Sequence, residues 1–469
     1  MTHVAVIDIG KTNAKLALVA LEGLTEIAVV TRPNQVLSGA PWPHFDIDGH
    51  WEFLLAALTA FHADHGVDAI SITTHGACVA LLDADGNLAA PILDYEYNGP
   101  DETAAAYDAI RPEFSETGAP RLAAGLNVGA QLFWQFTKDP DLRARTQDIV
   151  TYPQFWGHRL TGCVATDVTS LGCHTDLWNP HSGQFSSLVD RLGIADKIAP
   201  ARQSGDVLGP LRPDVARRTG LSQMTPVYCG VHDSNASLLP HILGNTAPFS
   251  VISSGTWTIA MAIGAQPVPL DPTQDVLINV NALGAPVPSA RFMGGREHDL
   301  ATDGAYATPT EADLADVVQL GIHLLPAVVP DTGPFRGQTA RWIGPEPAIG
   351  SARRGAAVAL YLALITGRCL SNIGHSGPVI VEGPFARNRL YCQSLAEIAG
   401  CDVAAMQSAT GTSQGAALLA RTDTISANPD VSGSLNFEPR LDRTLAEDLA
   451  QYAADWYRMA DKGAGSGTA

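Results

Sequence analysis

The chain is short of basic residues: 29 Lys and Arg stand against 48 Asp and Glu, a formal net charge of −19. A nucleic-acid binder needs a basic face, because phosphate contacts dominate that affinity, and the deficit argues against that class. The same acidity opposes adsorption to an anionic membrane surface. Charged residues of either sign make up only 16% of the chain and hydrophobic ones 46%, a globular composition rather than a disordered one. Long hydrophobic runs are also missing. The most apolar helical window, Ala356 to Ile365, is too short to cross a bilayer and reads as a buried helix. The opening MTHVAVIDIG shows no basic region followed by a long apolar stretch, hence no signal peptide. The seven cysteines (78, 163, 173, 229, 369, 392, 401) are odd in number and none pair at a metal-like spacing. A reduced compartment, the cytoplasm, is expected.

What is present is α/β material in quantity. At 469 residues the chain is too long for one ordinary domain, and two are expected. Val4 to Ile7 is a continuous apolar run, as in a strand buried on both faces. Asp8-Ile9-Gly10-Lys11-Thr12-Asn13 is turn-like, and Leu16 to Val19 returns as a second strand. The pattern recurs at Phe249 to Ile252, Ser253-Ser254-Gly255-Thr256 and Trp257 to Met261, which suggests two domains of similar design. Further strands are expected at Asp68–Thr73, at Val79–Leu82 as its partner, at Pro91–Leu93, and at Pro226–Cys229, Pro378–Val381 and Asp402–Met406. Helices are expected at Pro213–Thr219 with Gly220 as its stop, from about Asn388 to Ala399 with Gly400 closing it, and from Ser408–Thr412 through Ala420. Gly463 to Ala469 reads as a frayed end.

Several of these turns carry chemistry. In Asp8-x-Gly10-x-Thr12-Asn13-Ala14-Lys15, glycine permits close backbone approach to an oxygen and Thr12 and Asn13 offer donors. Lys15 can pair with a terminal phosphate, and Asp8 can hold hydrated Mg²⁺. A Walker loop fails here, since its upstream glycine falls at Ala5 and a strand follows. A plain hairpin turn accounts for these residues about as well. Ser254-Gly255-Thr256 is a natural partner turn, and Glu382-Gly383-Pro384 through Asn388 sits where a strand passes into a helix, where ligands gather in open sheets. Asp233 follows a strand and Gly230. It is either a carboxylate able to take a proton from an alcohol or the cap of the helix that Ser234 opens. His75 and Asp94 follow strand-like runs and could line a polar pocket, while Trp134 and Phe155 belong to the core.

Together these segments resemble the FGGY family of carbohydrate kinases, within the superfamily that includes heat-shock ATPases and actin. The likeness runs in order from about Val4 to Ala420 and includes Leu221–Val227 with Gly230-Val-His-Asp233, and Thr410-Gly411 through Gly415. It implies an α/β fold with two RNase H-like domains flanking a deep catalytic cleft that closes on its substrates. The amino-terminal domain would span 1–242, the nucleotide-binding domain 243–430, and a helix with a flexible tail 431–469. It implies ATP and Mg²⁺ as cofactors and Asp233 as general base. Nucleotide contacts would come from Asp8, Gly10, Lys11, Thr12, Asn13, Lys15, Ser254, Gly255, Thr256, Gly383, Pro384 and Asn388. His75, Asp94, Gln131, His232 and Asp233 would meet the sugar, and Asp8 and Asp233 the metal. A homodimer is compatible with it. Two departures stand out: Glu382-Gly383-Pro384 replaces the usual glycine run, and Lys15 stands where some relatives have Arg. Ser254-Gly255-Thr256-Trp257 with His232-Asp233 looks most like the L-rhamnulose and L-fuculose kinase branch. A 6-deoxyketohexose is therefore the first substrate expectation, a ketopentose (xylulose or ribulose) or a polyol the next. A nucleotide-dependent binding or regulatory protein of the same fold is the alternative from another class, against which the retained Asp233 weighs.

Overall fold

The structure is a computed structural model that describes residues 2–406, 411–424 and 440–464. Its chain divides into two compact units. The first comprises Met1–Gly244, Ile278–Pro286 and Thr410–Val431; the second comprises Asn245–Leu277, Val287–Ala409 and Ser432–Ala469.

In the first unit the main strands are β1 (His3–Ile9), β2 (Asn13–Ala20), β3 (Thr25–Pro33), β4 (Ala69–Thr74) and β5 (Val227–Tyr228), in the order β5-β4-β1-β2-β3. β1 runs antiparallel to β2 and parallel to β4, and β2 runs antiparallel to β3. Every residue of β1 from Val4 onward is buried. That is why its sequence is apolar without alternation: both faces are covered. On one face α1 (Ile47–His65) packs Leu54, Leu58 and Phe61 against Ile7, Leu16 and Ile70. The Asp46 carboxylate accepts the Gly49 N–H at 3.0 Å and starts this helix. The opposite set, Val4, Val6 and Val19, meets Ala236, Leu239 and Ala416 to Leu419. Two helices supply those contacts: one runs Asp233–Gly244, the other Thr412–Ala417. A further helix at Tyr152–Thr161 carries Phe155 and Trp156 into the α1-side core.

The second unit repeats the plan. The second sheet consists of β6 (Phe249–Ser254), β7 (Thr258–Ile263), β8 (Val276–Val280), β9 (Pro286–Phe292), β10 (Val379–Glu382) and β11 (Val403–Ala405), ordered β8-β9-β7-β6-β10-β11, with Ile278–Val280 and Pro286 counted in the first unit. β6 is antiparallel to β7 and parallel to β10, and β7 is antiparallel to β9. Each sheet thus places its first strand between an antiparallel hairpin partner and a parallel crossover strand. The recurring hairpin in the sequence is a recurring topology. Ala356 to Ile365 is entirely buried within the helix Ala352–Asn372, so the most apolar window belongs to the core.

Three expectations about elements need correction. Val79–Leu82 is a strand, but it pairs with Asp148–Thr151 rather than with β4. Pro91–Leu93 is not a strand and makes only an isolated bridge from Leu93 to His44. Pro91 has no N–H to give a ladder, and the Asp94 N–H bonds back to the Pro43 carbonyl instead. The last expected helix begins at Thr412 and turns into 3-10 geometry at Leu418. Ser408, Ala409 and Thr410 lie outside the described residues, as do 425–439 and 465–469. Of the expected 431–469 segment, Arg443–Ala464 forms a helix. The chain also returns to the first unit after Ala409, which a purely linear division of the sequence does not capture.

That return depends on one close approach. A Cβ at Gly415 would collide with the carbonyl of Ala236 in the Asp233–Gly244 helix. Gly415→Ala is expected to cost about 1–3 kcal/mol, as overpacking typically does. Urea unfolding followed by far-ultraviolet dichroism measures it, and an unchanged midpoint would contradict the close contact.

Candidate active site

The turn after β1 is built before any ligand arrives. The Gly10 N–H donates to the Asn13 carbonyl at 2.9 Å, and Asn34 Nδ2 donates to the Gly10 carbonyl at 2.8 Å. Asp8, at the buried end of β1, gathers three groups on Oδ2. They are Lys15 Nζ at 3.2 Å, Thr412 Oγ1 at 2.5 Å and Ser413 Oγ at 3.3 Å. Lys15 also reaches Glu26 at 3.4 Å. Thr12 and Asn13 are exposed at the tip of the turn, with Asn13 Nδ2 3.1 Å from Thr12 Oγ1.

Asp233 is reached from the neighbouring strand. Val231–His232 pairs with the end of β4, and Gly230 just before it has φ +95°, where a Cβ would lie 2.7 Å from the Ile72 carbonyl oxygen. Only glycine fits that bend. The helix then starts at Asp233. Its carboxylate accepts the Ser234 N–H at 2.6 Å and stands 3.2 Å from His232 Nε2. A capping side chain would accept from the second or third helical N–H, and this carboxylate takes neither Asn235 nor Ala236. The side chain keeps 31% of its surface exposed. Burial of the carboxylate nonetheless raises its pKa, to about 6, with the His75 ring and the Ser234 N–H opposing the effect and the negative charge of Asp8 adding to it. A carboxylate tuned in this way is a competent proton acceptor near neutrality.

His75 follows β4 and is buried. Its Nδ1 lies 2.9 Å from the Gly76 carbonyl, which can only accept, so Nδ1 carries the proton. Nε2 is then a bare acceptor, buried and without a hydrogen-bond partner. Burial lowers the ring's pKa to about 4, which keeps it neutral. Around the ring stand Phe45, Tyr95 and Tyr152, with centroids at 5.2, 5.2 and 5.1 Å.

The other expected sugar contacts are placed differently. Asp94 is ion-paired to Lys11, which also meets Glu96 at 3.1 Å and lies 4.7 Å from the Tyr95 ring centroid. Lys11, expected among the nucleotide contacts, is thus engaged by the loop expected to meet the sugar. Gln131 is buried and donates Nε2 to the carbonyls of Ala77 and Gly125, bracing the backbone. His232 is buried with its pKa lowered to about 4 by that burial, and Asn235 Nδ2 lies 3.5 Å from its Nδ1.

Sequence reasoning missed the group beneath this dyad. Asp167, fully buried, accepts from Thr169 N, Thr169 Oγ1 and Ser170 N at 2.9, 2.5 and 3.1 Å, and from Ser204 Oγ at 3.2 Å. Thr169 Oγ1 in turn accepts the His232 N–H at 2.9 Å. The available signal was local: an Asp followed two residues on by Thr and then Ser is a capping pattern.

In the second unit the turn after β6 is pinned at Ser254. Its Oγ donates to the Glu382 carbonyl and accepts the Phe385 N–H at 3.0 Å. A Cβ at Gly383 would strike the Ser254 carbonyl, and one at Gly295 the Gly255 carbonyl, so three loops meet through bare backbone. Gly294 and Gly295, which start the helix Gly294–Thr302, were not singled out from sequence. Thr256 is exposed, and Pro384 opens a short 3-10 turn. Asn388 caps the helix Arg389–Ala399 through the Tyr391 N–H at 3.1 Å, so its side chain is already used structurally.

Neutralising Asp8 as Asp8→Asn removes a negative charge that holds the Asp233 pKa up. Its titration midpoint, followed by carboxyl-carbon NMR, is expected to move below about 6. A midpoint that stays put or rises would show that the two carboxylates do not sense each other.

Comparison with known proteins points one way. The amino-terminal domain of the FGGY family of carbohydrate kinases matches residues 3–240, and the carbohydrate kinase FGGY carboxy-terminal domain matches residues 246–429. A solved carbohydrate kinase from Novosphingobium aromaticivorans is 36% identical, with TM-score 0.88 over 98% of this chain and 99% of that one. A xylulose kinase from Lactobacillus acidophilus, 17% identical with TM-score 0.77 over 99% of both chains, shares the fold. L-fuculokinase of Escherichia coli (strain K12) is 29% identical over 282 residues, 56% of this chain and 57% of that protein. The chain therefore spans little more than half the length of that curated relative.

Proposed function

As the chain belongs to the FGGY family of carbohydrate kinases, we propose that it transfers the γ-phosphate of ATP to a hydroxyl of a small ketose, with Asp233 as the base. One observation carries the reading: a partly exposed carboxylate, raised to about 6, in the same compact unit as Asp8, Lys15 and the unpartnered acceptor of His75. The substrate hydroxyl oxygen attacks the γ-phosphorus as its bond to the bridging oxygen breaks. Asp233 takes the hydroxyl proton and ADP leaves. His75 Nε2, able only to accept, fixes a second sugar hydroxyl.

Among the described residues no cluster of three His, Cys, Asp or Glu side chains could hold a metal unaided. The oxygen donors present suit a hydrated Mg²⁺ that keeps most of its waters and leans on the nucleotide. Asp8 and Asp233 are the carboxylates that would hold it, and bound Mg²⁺ would neutralise phosphate charge. Lys15 would add a cation beside Asp8, and the turns at 10–13, 254–256 and 383–384 would supply backbone and hydroxyl donors to phosphate and adenosine.

For the sugar we favour a 6-deoxyketohexose such as L-rhamnulose or L-fuculose. The likeness to L-fuculokinase supports it.

A coupled ADP-release assay over ketoses, deoxyketoses and polyols tests this, with the highest kcat/KM expected for a 6-deoxyketohexose. A preference for xylulose, ribulose or a polyol would overturn the substrate, and nucleotide binding without turnover on any sugar would favour the regulatory reading. Asp233→Asn is expected to lower kcat by roughly 10²–10⁴ while ATP affinity is retained. Because the base form of Asp233 is lost below its raised pKa, kcat/KM should be flat above about pH 6 and fall as pH drops through it. An acid limb near pH 4 would contradict the assignment.

A further inference from the structure

The first unit holds a cavity of about 420 Å³ that shares no residue with the site described above. It is bounded by α1, the turn at Gly86–Leu88, the helix Tyr152–Thr161 and the segment at Arg212–Asp214. Its chemistry is uneven. Two guanidiniums, Arg159 and Arg212, line it in a chain whose net charge is −19. Each has a single carboxylate contact. Arg159 Nη1 meets Asp48 at 3.3 Å, and that Asp48 side chain is 94% exposed. Arg212 Nε meets Asp214 at 3.2 Å, with Asp214 57% exposed. Exposed pairs of this kind hold little energy. Among the described residues the remaining side-chain N–H groups of both guanidiniums have no protein acceptor. Burial disfavours the charge on Arg159 most; Asp48 and, more weakly, Glu52 favour it, and Arg212 opposes it, so the two guanidiniums sense each other at this place.

The cavity also offers an acceptor and an aromatic face. His158 is nine-tenths buried, and its Nε2 lies 3.0 Å from the Gly86 carbonyl, so Nε2 carries the proton. Its Nδ1 is a bare acceptor with no partner. Trp51 lies under Arg159, 4.6 Å from guanidinium carbon to ring centroid, which holds that side chain in place. Two forked cations call for a phosphate or carboxylate. An unpaired imidazole acceptor beside an aromatic and aliphatic wall calls for a hydroxyl on a compact carbon skeleton.

We propose that this cavity is a second, non-catalytic binding site for a small hydroxylated organophosphate, a sugar phosphate in chemical class, with Arg159 and Arg212 on the phosphate and His158 on a hydroxyl. The assignment stands on the cavity's own residues and does not require the kinase reading. If that reading holds, the reaction's product belongs to the ligand class.

Isothermal titration of the full chain with fructose 1-phosphate, inorganic phosphate and fructose tests it. The sugar phosphate is expected to bind, more tightly than inorganic phosphate and far more tightly than fructose, and to weaken at least tenfold in Arg159→Gln/Arg212→Gln. Ketose turnover at low product should be unchanged in that variant. A sugar phosphate held at the catalytic site instead would bind the double variant and the wild type alike, and that outcome overturns the proposal, as does the absence of binding to wild type at millimolar probe. Should the double variant fold poorly, Arg159→Lys keeps the charge but loses the fork, and a several-fold loss is expected. His158→Phe removes only the acceptor. It should abolish the advantage of sugar phosphate over inorganic phosphate, and an intact advantage would overturn the role of His158.

Discussion

The carboxylate of Asp8 sets the condition that the first unit must satisfy. β1 is apolar and buried along its length, so the single charge at its end cannot be left without partners; an unpaired buried carboxylate is costly. Lys15 comes from the antiparallel neighbour, directly opposite Asp8 in the hairpin, and Thr412 and Ser413 come from the far end of the sequence, 404 and 405 residues away. Meeting Asp8 obliges the Thr412–Ala417 helix to pack on the unit that the first residues built. The bare backbone of Gly415 allows it to reach the Asp233–Gly244 helix.

Asp233 shows the opposite treatment of the same chemical group. It accepts from Ser234 and stands beside a neutral His232, and no guanidinium or ammonium pairs with it. Burial together with the charge of Asp8 therefore moves its pKa upward. One carboxylate is held by three donors, the other is under-compensated and partly exposed, and that difference in partners sets the two apart electrostatically. Asp167 supports the difference from below: through Thr169 it fixes the backbone of His232, and hence the start of the helix that carries Asp233.

The second unit repeats the sheet order and the hairpin but not the charge. Its turn after β6 has Ser253 where the first has Asp8, two residues before the turn glycine, and the following Ser254 bridges strand end to loop through Glu382 and Phe385. Neutral backbone brought close through Gly295 and Gly383 suits an anionic ligand better than a carboxylate would.

Much of this was legible in one dimension. Unbroken apolar runs marked β1 and β6, because a strand covered on both faces has no polar side to display. Gly220 and Gly400 closed helices as read, since a left-handed cap tolerates little else. Motif order was enough to suggest the family. Sequence could not decide which neighbours each polar side chain would find. The pairing of Val79–Leu82 with Asp148–Thr151, the capture of Lys11 by Asp94 and Glu96, the bracing role of Gln131 and the capping role of Asn388 all depend on contacts formed only once the chain folds back on itself. Local pattern determines what a segment can be, because backbone preference and burial act over a few residues. Whether a carboxylate is anchored or poised was decided only by tertiary structure, because charge responds to whatever folding brings within a few ångströms.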